Sequence, residues 1–331
     1  MQPGAVVLGI LVALLAQGAA GVRHLGDSPQ HLAAAAHCGV ELQFHEYLPS
    51  AWEAFWLTHG SSLQHRVCES MLEDEDKTSK WLNTIEHFKT VGDVQKVSWD
   101  PAVFSKYTYK NKCKPHDPPI EVFIEPAVGV LRHPHAACTQ KVEIQERSYI
   151  VLSGLSGATL KDVYPGRKYL FDLGTNAYHS SLDWFDKAYG GIGIEFDDVY
   201  AWELAHMDPK AYWASVTETM VEKLHFYNIG IDNDTTKASH PLNIMKSIYR
   251  PGDLIIVKLD IDNEELESFI LKEIETDPHL AAIISDIFVE MHFDSPVMNA
   301  WFGNKLKQKL ADVLKFFHTF RSLGIRMHPW P

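Results

Sequence analysis

Asp172, Gly174 and Asn176 fall in one short stretch, Phe171-Asp-Leu-Gly-Thr-Asn176, and Glu195 follows about twenty residues later. A glycine at such a turn lets a ligand approach the backbone closely. A carboxylate at the end of the next strand accepts hydrogen bonds from two ribose hydroxyls. A hydrogen bond to a charged acceptor contributes about 1.5–3 kcal/mol. Further along, Asp260-Ile-Asp262 and Glu290-Met-His292 each close an apolar run. Carboxylates at Asp-x-Asp spacing suit Mg or Mn together with a diphosphate. A histidine titrates where general-base chemistry at neutral pH needs it.

These residues need a frame that brings strand ends together. Tyr169–Leu173 reads as a buried parallel strand, Gly174 as its turn, and Ser180 or Ser181 as the cap of a helix carrying Leu182, Phe185 and Ala188. Gly190-Gly191 ends that helix, and Ile192–Phe196 reads as the second strand, with Glu195 near its C-terminal end. The spacing predicts a helical stretch over Tyr200–Lys223, broken at Asp208-Pro209, and a third strand over Leu224–Ile231, followed by Asp232. Asp253–Leu259 and Ile287–Phe293 are further strands, Glu264–Ile274 and the Leu306–Phe320 periodicity are helices, and Ile325–His328 is a last short strand. The alternation predicts an α/β fold, a Rossmann-like, doubly wound, mostly parallel sheet over residues 156–331.

The preceding part, residues 22–155, reads as a smaller mixed region. Helical periodicity runs from Glu46 to His87, Asp100–Tyr109 is a connector, Glu121–Glu125 is a strand and Lys141–Leu152 is another. Trp52, Trp56, Trp81 and Trp99 are expected to pack rather than to line a sugar site. Cys38, Cys68, Cys113 and Cys138 all lie in this region. An even count allows three pairings, of which the nearest-neighbour one, Cys38–Cys68 with Cys113–Cys138, is favoured. His133, His135 and Cys138 fit no standard zinc spacing, and no resident metal is expected.

Gly4–Val22 is uncharged and rich in Val, Leu and Ala, with small residues near Ala20, so residues 1–21 read as a cleaved signal peptide or a signal anchor. The expected localisation is the secretory pathway, where Asn233-Asp-Thr235 is a usable glycosylation sequon. The formal net charge of -13 argues against nucleic-acid backbones as partners.

Two segments together resemble class I S-adenosylmethionine-dependent methyltransferases of the FkbM type. Phe171-Asp172-Leu-Gly174-Thr-Asn176 is similar to that family's Asp-x-Gly-Ala-Asn turn, and Lys258-Leu-Asp260-Ile-Asp262-Asn-Glu-Glu-Leu-Glu to its run at the end of strand four. Glu290-Met-His292 is similar to its strand-five Glu-x-His. The resemblance covers Tyr164 to Pro331. It implies S-adenosyl-L-methionine as cofactor, with Asp172, Gly174 and Asn176 around its methionine part, Glu195 at the ribose and Asp232 toward the adenine. It also implies Asp260 and His292 as catalytic residues facing the acceptor, with His292 the favoured base and a glycan or small hydroxylated molecule as acceptor. Tyr178 stands where the family's turn has another glycine, and Asp262-Asn263 replaces Glu-Gly. The alternatives are a non-catalytic binding protein of the same fold, a lumenal glycosyltransferase using Asp260-Ile-Asp262 with a divalent metal, and a nicotinamide dehydrogenase, for which the full Gly-x-Gly-x-x-Gly is missing.

Overall fold

The computed structural model describes residues 41–128, 132–152, 157–303 and 305–331. The expected signal segment and Cys38 lie outside the described residues. Two sheets make up the fold. The first is antiparallel, β1 (Leu42–Leu48), β2 (Ser105–Asn111) and β3 (Ile120–Ile124), in that order. The second is wholly parallel and holds β4 (Lys168–Leu173), β5 (Asp198–Trp202), β6 (Leu224–Tyr227), β7 (Leu254–Leu259), β8 (Ile284–Val289) and β9 (Arg326–Pro329).

The order across the parallel sheet is β6-β5-β4-β7-β8-β9. The chain starts in the middle, builds outward on one side, then returns to build the other, so strand order reverses between β4 and β7. β7, Leu-Ile-Ile-Val-Lys-Leu, is buried at all six positions, as a strand covered on both faces must be. Helix starts follow a repeated local rule. Asp208, His240, Asp277 and Ser295 each accept a backbone N–H ahead of a proline at the first helical turn, where a missing N–H costs nothing.

Three expectations are corrected here. The second parallel strand is Asp198–Trp202, and Ile192–Phe196 is a loop whose Ile194 and Phe196 are buried. Lys141–Leu152 forms no strand. It is irregular chain whose Tyr149 carbonyl accepts from Trp81 Nε1 and whose Val151 N–H donates to Glu125 Oε2. Glu46–Leu48, expected to be helical, and Ser105–Tyr109, expected to be a connector, belong to β1 and β2, which pair with each other. The four tryptophans do pack. Trp52, Trp56 and Trp81 are buried, and Trp99 stacks on Phe123 at 5.2 Å.

The disulfide pairing also differs. Cys68 bonds Cys138, which removes the expected Cys113–Cys138 link. Sequence proximity misled because Cys68 opens the helix Val67–Glu73, and that helix packs against the short helix Pro134–Ala137 next to Cys138.

A buried ionic network ties the two sheets together. Arg321, on the helix Leu310–Ser322, donates to Glu53 Oε2 at 2.8 Å, to the Glu125 carbonyl at 3.0 Å and to the Met327 carbonyl. His328 bridges Glu125 at 2.8 Å and Asp286 at 3.4 Å, and Arg326 holds Asp286 with two bonds of 2.6 Å. Gly60 permits the close approach behind this network. A Cβ there would sit 3.1 Å from Leu314 Cδ1 and 3.3 Å from Ala311 Cα.

Candidate functional site

A crevice of about 360 Å³ opens outside the C-terminal ends of β4, β5, β6 and β7, at the point where strand order reverses. Doubly wound sheets bind ligands at this place. Gly174 and Asn176 line it from the turn after β4, and Trp202, Glu203, Leu204 and Ala205 from the end of β5. Ile229–Ile231 contribute from beyond β6, and Asp260–Asn263 with Leu266 from beyond β7.

Gly174 sits at φ +99°, and a Cβ there would lie 1.7 Å from the Asp260 carbonyl oxygen. The glycine is therefore fixed by the packing of the β4 turn on the end of β7. Asp172 lies below the crevice, fully buried and absent from its walls. Its carboxylate accepts from Ser181 Oγ and pairs with Lys258 Nζ at 3.2 Å. The same ammonium pairs with Asp260 Oδ2 at 3.0 Å and donates to the Gly174 carbonyl at 2.6 Å. Burial alone would push the Lys258 pKa down, but Asp172 and Asp260 outweigh it and hold the pKa above the ordinary lysine value. This triad clamps the ends of β4 and β7.

The acid expected at the ribose does not reach the crevice. Glu195 is exposed and precedes β5, so it stands at the N-terminal edge of the sheet, away from the crevice. The acid at the C-terminal end of the second strand is Glu203, a crevice wall. Its Oε1 accepts the Ala205 N–H at 2.6 Å. The signal for it was present in the run Val199-Tyr-Ala-Trp-Glu203. Asp232 is exposed, pairs with Lys237 and is not a wall residue, although its neighbour Ile231 is. Tyr178 does not crowd the crevice. Its side chain is buried and its hydroxyl meets Thr217 Oγ1 at 3.2 Å.

Asp260 and His292 do lie on the same sheet edge. His292 is buried after β8, with Nδ1 3.3 Å from Glu267 Oε2 and its ring against Phe302. Glu267, unforeseen from the sequence, is itself buried and held by the Ile261 N–H. It fixes the orientation of the imidazole through Nδ1. Nε2 faces Glu290 Oε2 at 3.6 Å and Asp262 Oδ1 at 3.7 Å and has no hydrogen-bond partner. Asp260 is not part of this convergent group and pairs with Lys258 instead. His133 and His135 form no ligand cluster among the described residues, and Cys138 is in a disulfide.

No helix among the described residues is long and apolar enough to cross a membrane. Asn233 of the sequon is exposed. Compared with known proteins, the chain matches no family model, no curated protein and no solved structure.

Proposed function

We propose that the chain is an S-adenosyl-L-methionine-dependent methyltransferase of Rossmann-like, class I type. The observation that carries this is the charge of the crevice. Its walls hold three carboxylates, Glu203, Asp260 and Asp262, and no lysine, arginine or histidine. Such a site repels the phosphates of dinucleotides and sugar nucleotides and favours a cationic ligand. A sulfonium cofactor meets that charge. Leu204, Ile229, Ile231, Ile261 and Leu266 supply apolar walls for an adenine ring, and the Glu203 carboxylate suits a ribose.

When bound, the cofactor supplies a methyl group that an acceptor oxygen attacks in line, C–O forming as C–S breaks and its electron pair stays on sulfur. The chain's own part is placement and proton removal. Lys258 holds Asp260 at the crevice floor. Glu267 orients His292, whose free Nε2 marks the acceptor end. A glycan or small hydroxylated molecule is the acceptor class this reading carries.

The test is calorimetric titration of the purified chain with S-adenosylmethionine, S-adenosylhomocysteine, NAD and a uridine diphosphate sugar with Mn²⁺. Saturable binding of the first two alone supports the proposal. Binding of a phosphate-bearing ligand in preference to them refutes it.

A further inference from the structure

The unpartnered nitrogen of His292, set at the acceptor end by the methyl-transfer reading, can hold more than an acceptor. Nε2 is buried, has no hydrogen-bond partner, and points at two carboxylates. A buried polar atom left unpaired is destabilising. Water-filled space is not the only remedy, because the three groups converge. Ligand atoms of Asp262, Glu290 and His292 all lie within 4.8 Å of one another.

We propose that Asp262, Glu290 and His292 bind one divalent first-row cation, Mn²⁺ or Zn²⁺, at the acceptor end of the crevice. The distances carry it. Bonds of about 2.0–2.2 Å to oxygen and nitrogen place two ligands of one ion about 3.0–4.2 Å apart, depending on the angle between them. The observed 3.6 Å and 3.7 Å fall inside that range. Glu267 behind Nδ1 completes the carboxylate–histidine–metal arrangement that fixes tautomer and ring orientation in metal sites.

Charge balance agrees. Asp262, Glu290 and Glu267 bring three negative charges, and Arg132, paired with Glu290 through Oε1, offsets one. The two left over match a divalent ion. A ligand set of one imidazole and two carboxylates selects a first-row metal over Ca²⁺, which takes oxygen ligands only.

The inference deepens the proposed function and rests on it for one point, the substrate class. Asp262 lines the crevice as well as the cation site, and its side chain is 75% exposed. An acceptor oxygen drawn to the cation then sits beside the methyl donor. The acceptor class is a hydroxyl with a second oxygen able to share the ion, its proton leaving to solvent on the Asp262 side as the C–O bond forms.

The experiment titrates the full, oxidised chain with Mn²⁺ alone, read by electron paramagnetic resonance, in wild type, Asp262→Asn and Glu267→Gln. One equivalent bound by wild type is expected, weakened at least tenfold in Asp262→Asn and about 10–100-fold in Glu267→Gln. Asp262 is solvent-facing, so its variant should melt with wild type in EDTA, which separates lost ligation from lost fold. No stoichiometric binding by wild type, or equal affinity in Asp262→Asn, overturns the site. S-adenosylmethionine titration in EDTA keeps the two readings apart. Cofactor binding without metal binding sinks the cation alone, and metal binding without cofactor binding sinks the methyltransferase reading and leaves the cation site standing.

Discussion

Removing the Glu203 carboxylate should weaken cofactor binding by a calculable amount. One of its oxygens, Oε1, is already taken by the Ala205 N–H at 2.6 Å. That leaves Oε2 as the acceptor for a ribose hydroxyl. One hydrogen bond to a charged acceptor contributes about 1.5–3 kcal/mol, which at about 1.4 kcal/mol per tenfold is a loss of about 12- to 140-fold in affinity. Glu203→Ala is measured by titration with S-adenosylhomocysteine, beside Glu195→Ala. Glu195 lies before β5, and the five residues of that strand put about 16 Å between its two ends. The second variant should therefore bind as wild type does. Unchanged affinity in Glu203→Ala, or a loss confined to Glu195→Ala, would refute the placement of the ribose at the end of β5.

Two further outcomes follow from the N-terminal region. His133 is buried and its Nδ1 accepts the His135 N–H at the start of the helix Pro134–Ala137; burial, with repulsion from His135, pushes its pKa down to about 4. The unfolded chain takes up that proton near pH 6.5 and the folded chain only near 4, so stability should drop as pH is lowered through this window, by at most about 1.4 kcal/mol per unit. His133→Asn, which keeps a capping oxygen, should flatten the slope in urea midpoints measured from pH 4 to 7; an unaltered slope would assign it to other groups. The Cys68–Cys138 bond closes a separation of 70 residues, for which the chain-entropy model gives about 4 kcal/mol. Cys68→Ala with Cys138→Ala should lose about that much in urea unfolding, and a loss below about 1 kcal/mol would show that the reduced chain is already constrained.

Local pattern made most of the parallel sheet legible. The apolar run Leu254–Val257 of β7, the Gly174 turn and the helix at Glu264 are strong short-range signals, and they put Asp260, Asp262, Glu290 and His292 on one sheet edge. β5 was misplaced because Ile192, Ile194 and Phe196 alternate as a strand does. In the fold those positions are a loop in which only Ile194 and Phe196 are buried, and the true strand begins on a charged residue, Asp198. That shift of one element exchanged Glu203 for Glu195. β1 and β2 escaped notice for another reason. Leu42 pairs with Asn111, and no window along the chain contains both partners. Glu267 was invisible because its role is set by the His292 ring, which reaches it only after β8 has joined the sheet.

The shared charges of Arg321 bear on how this protein can be divided. Its guanidinium belongs to the helix beside β9, yet its counter-ion Glu53 and its acceptor at Glu125 belong to the part that precedes the parallel sheet. Cutting the chain between the two regions would strand a buried cation on one side and buried carboxylates on the other. Breaking such a pair costs about 3–5 kcal/mol, a large share of the stability of an ordinary domain. The antiparallel sheet is thus no detachable ornament. It completes the electroneutrality of the other's interior, so the two sheets stand or fall together.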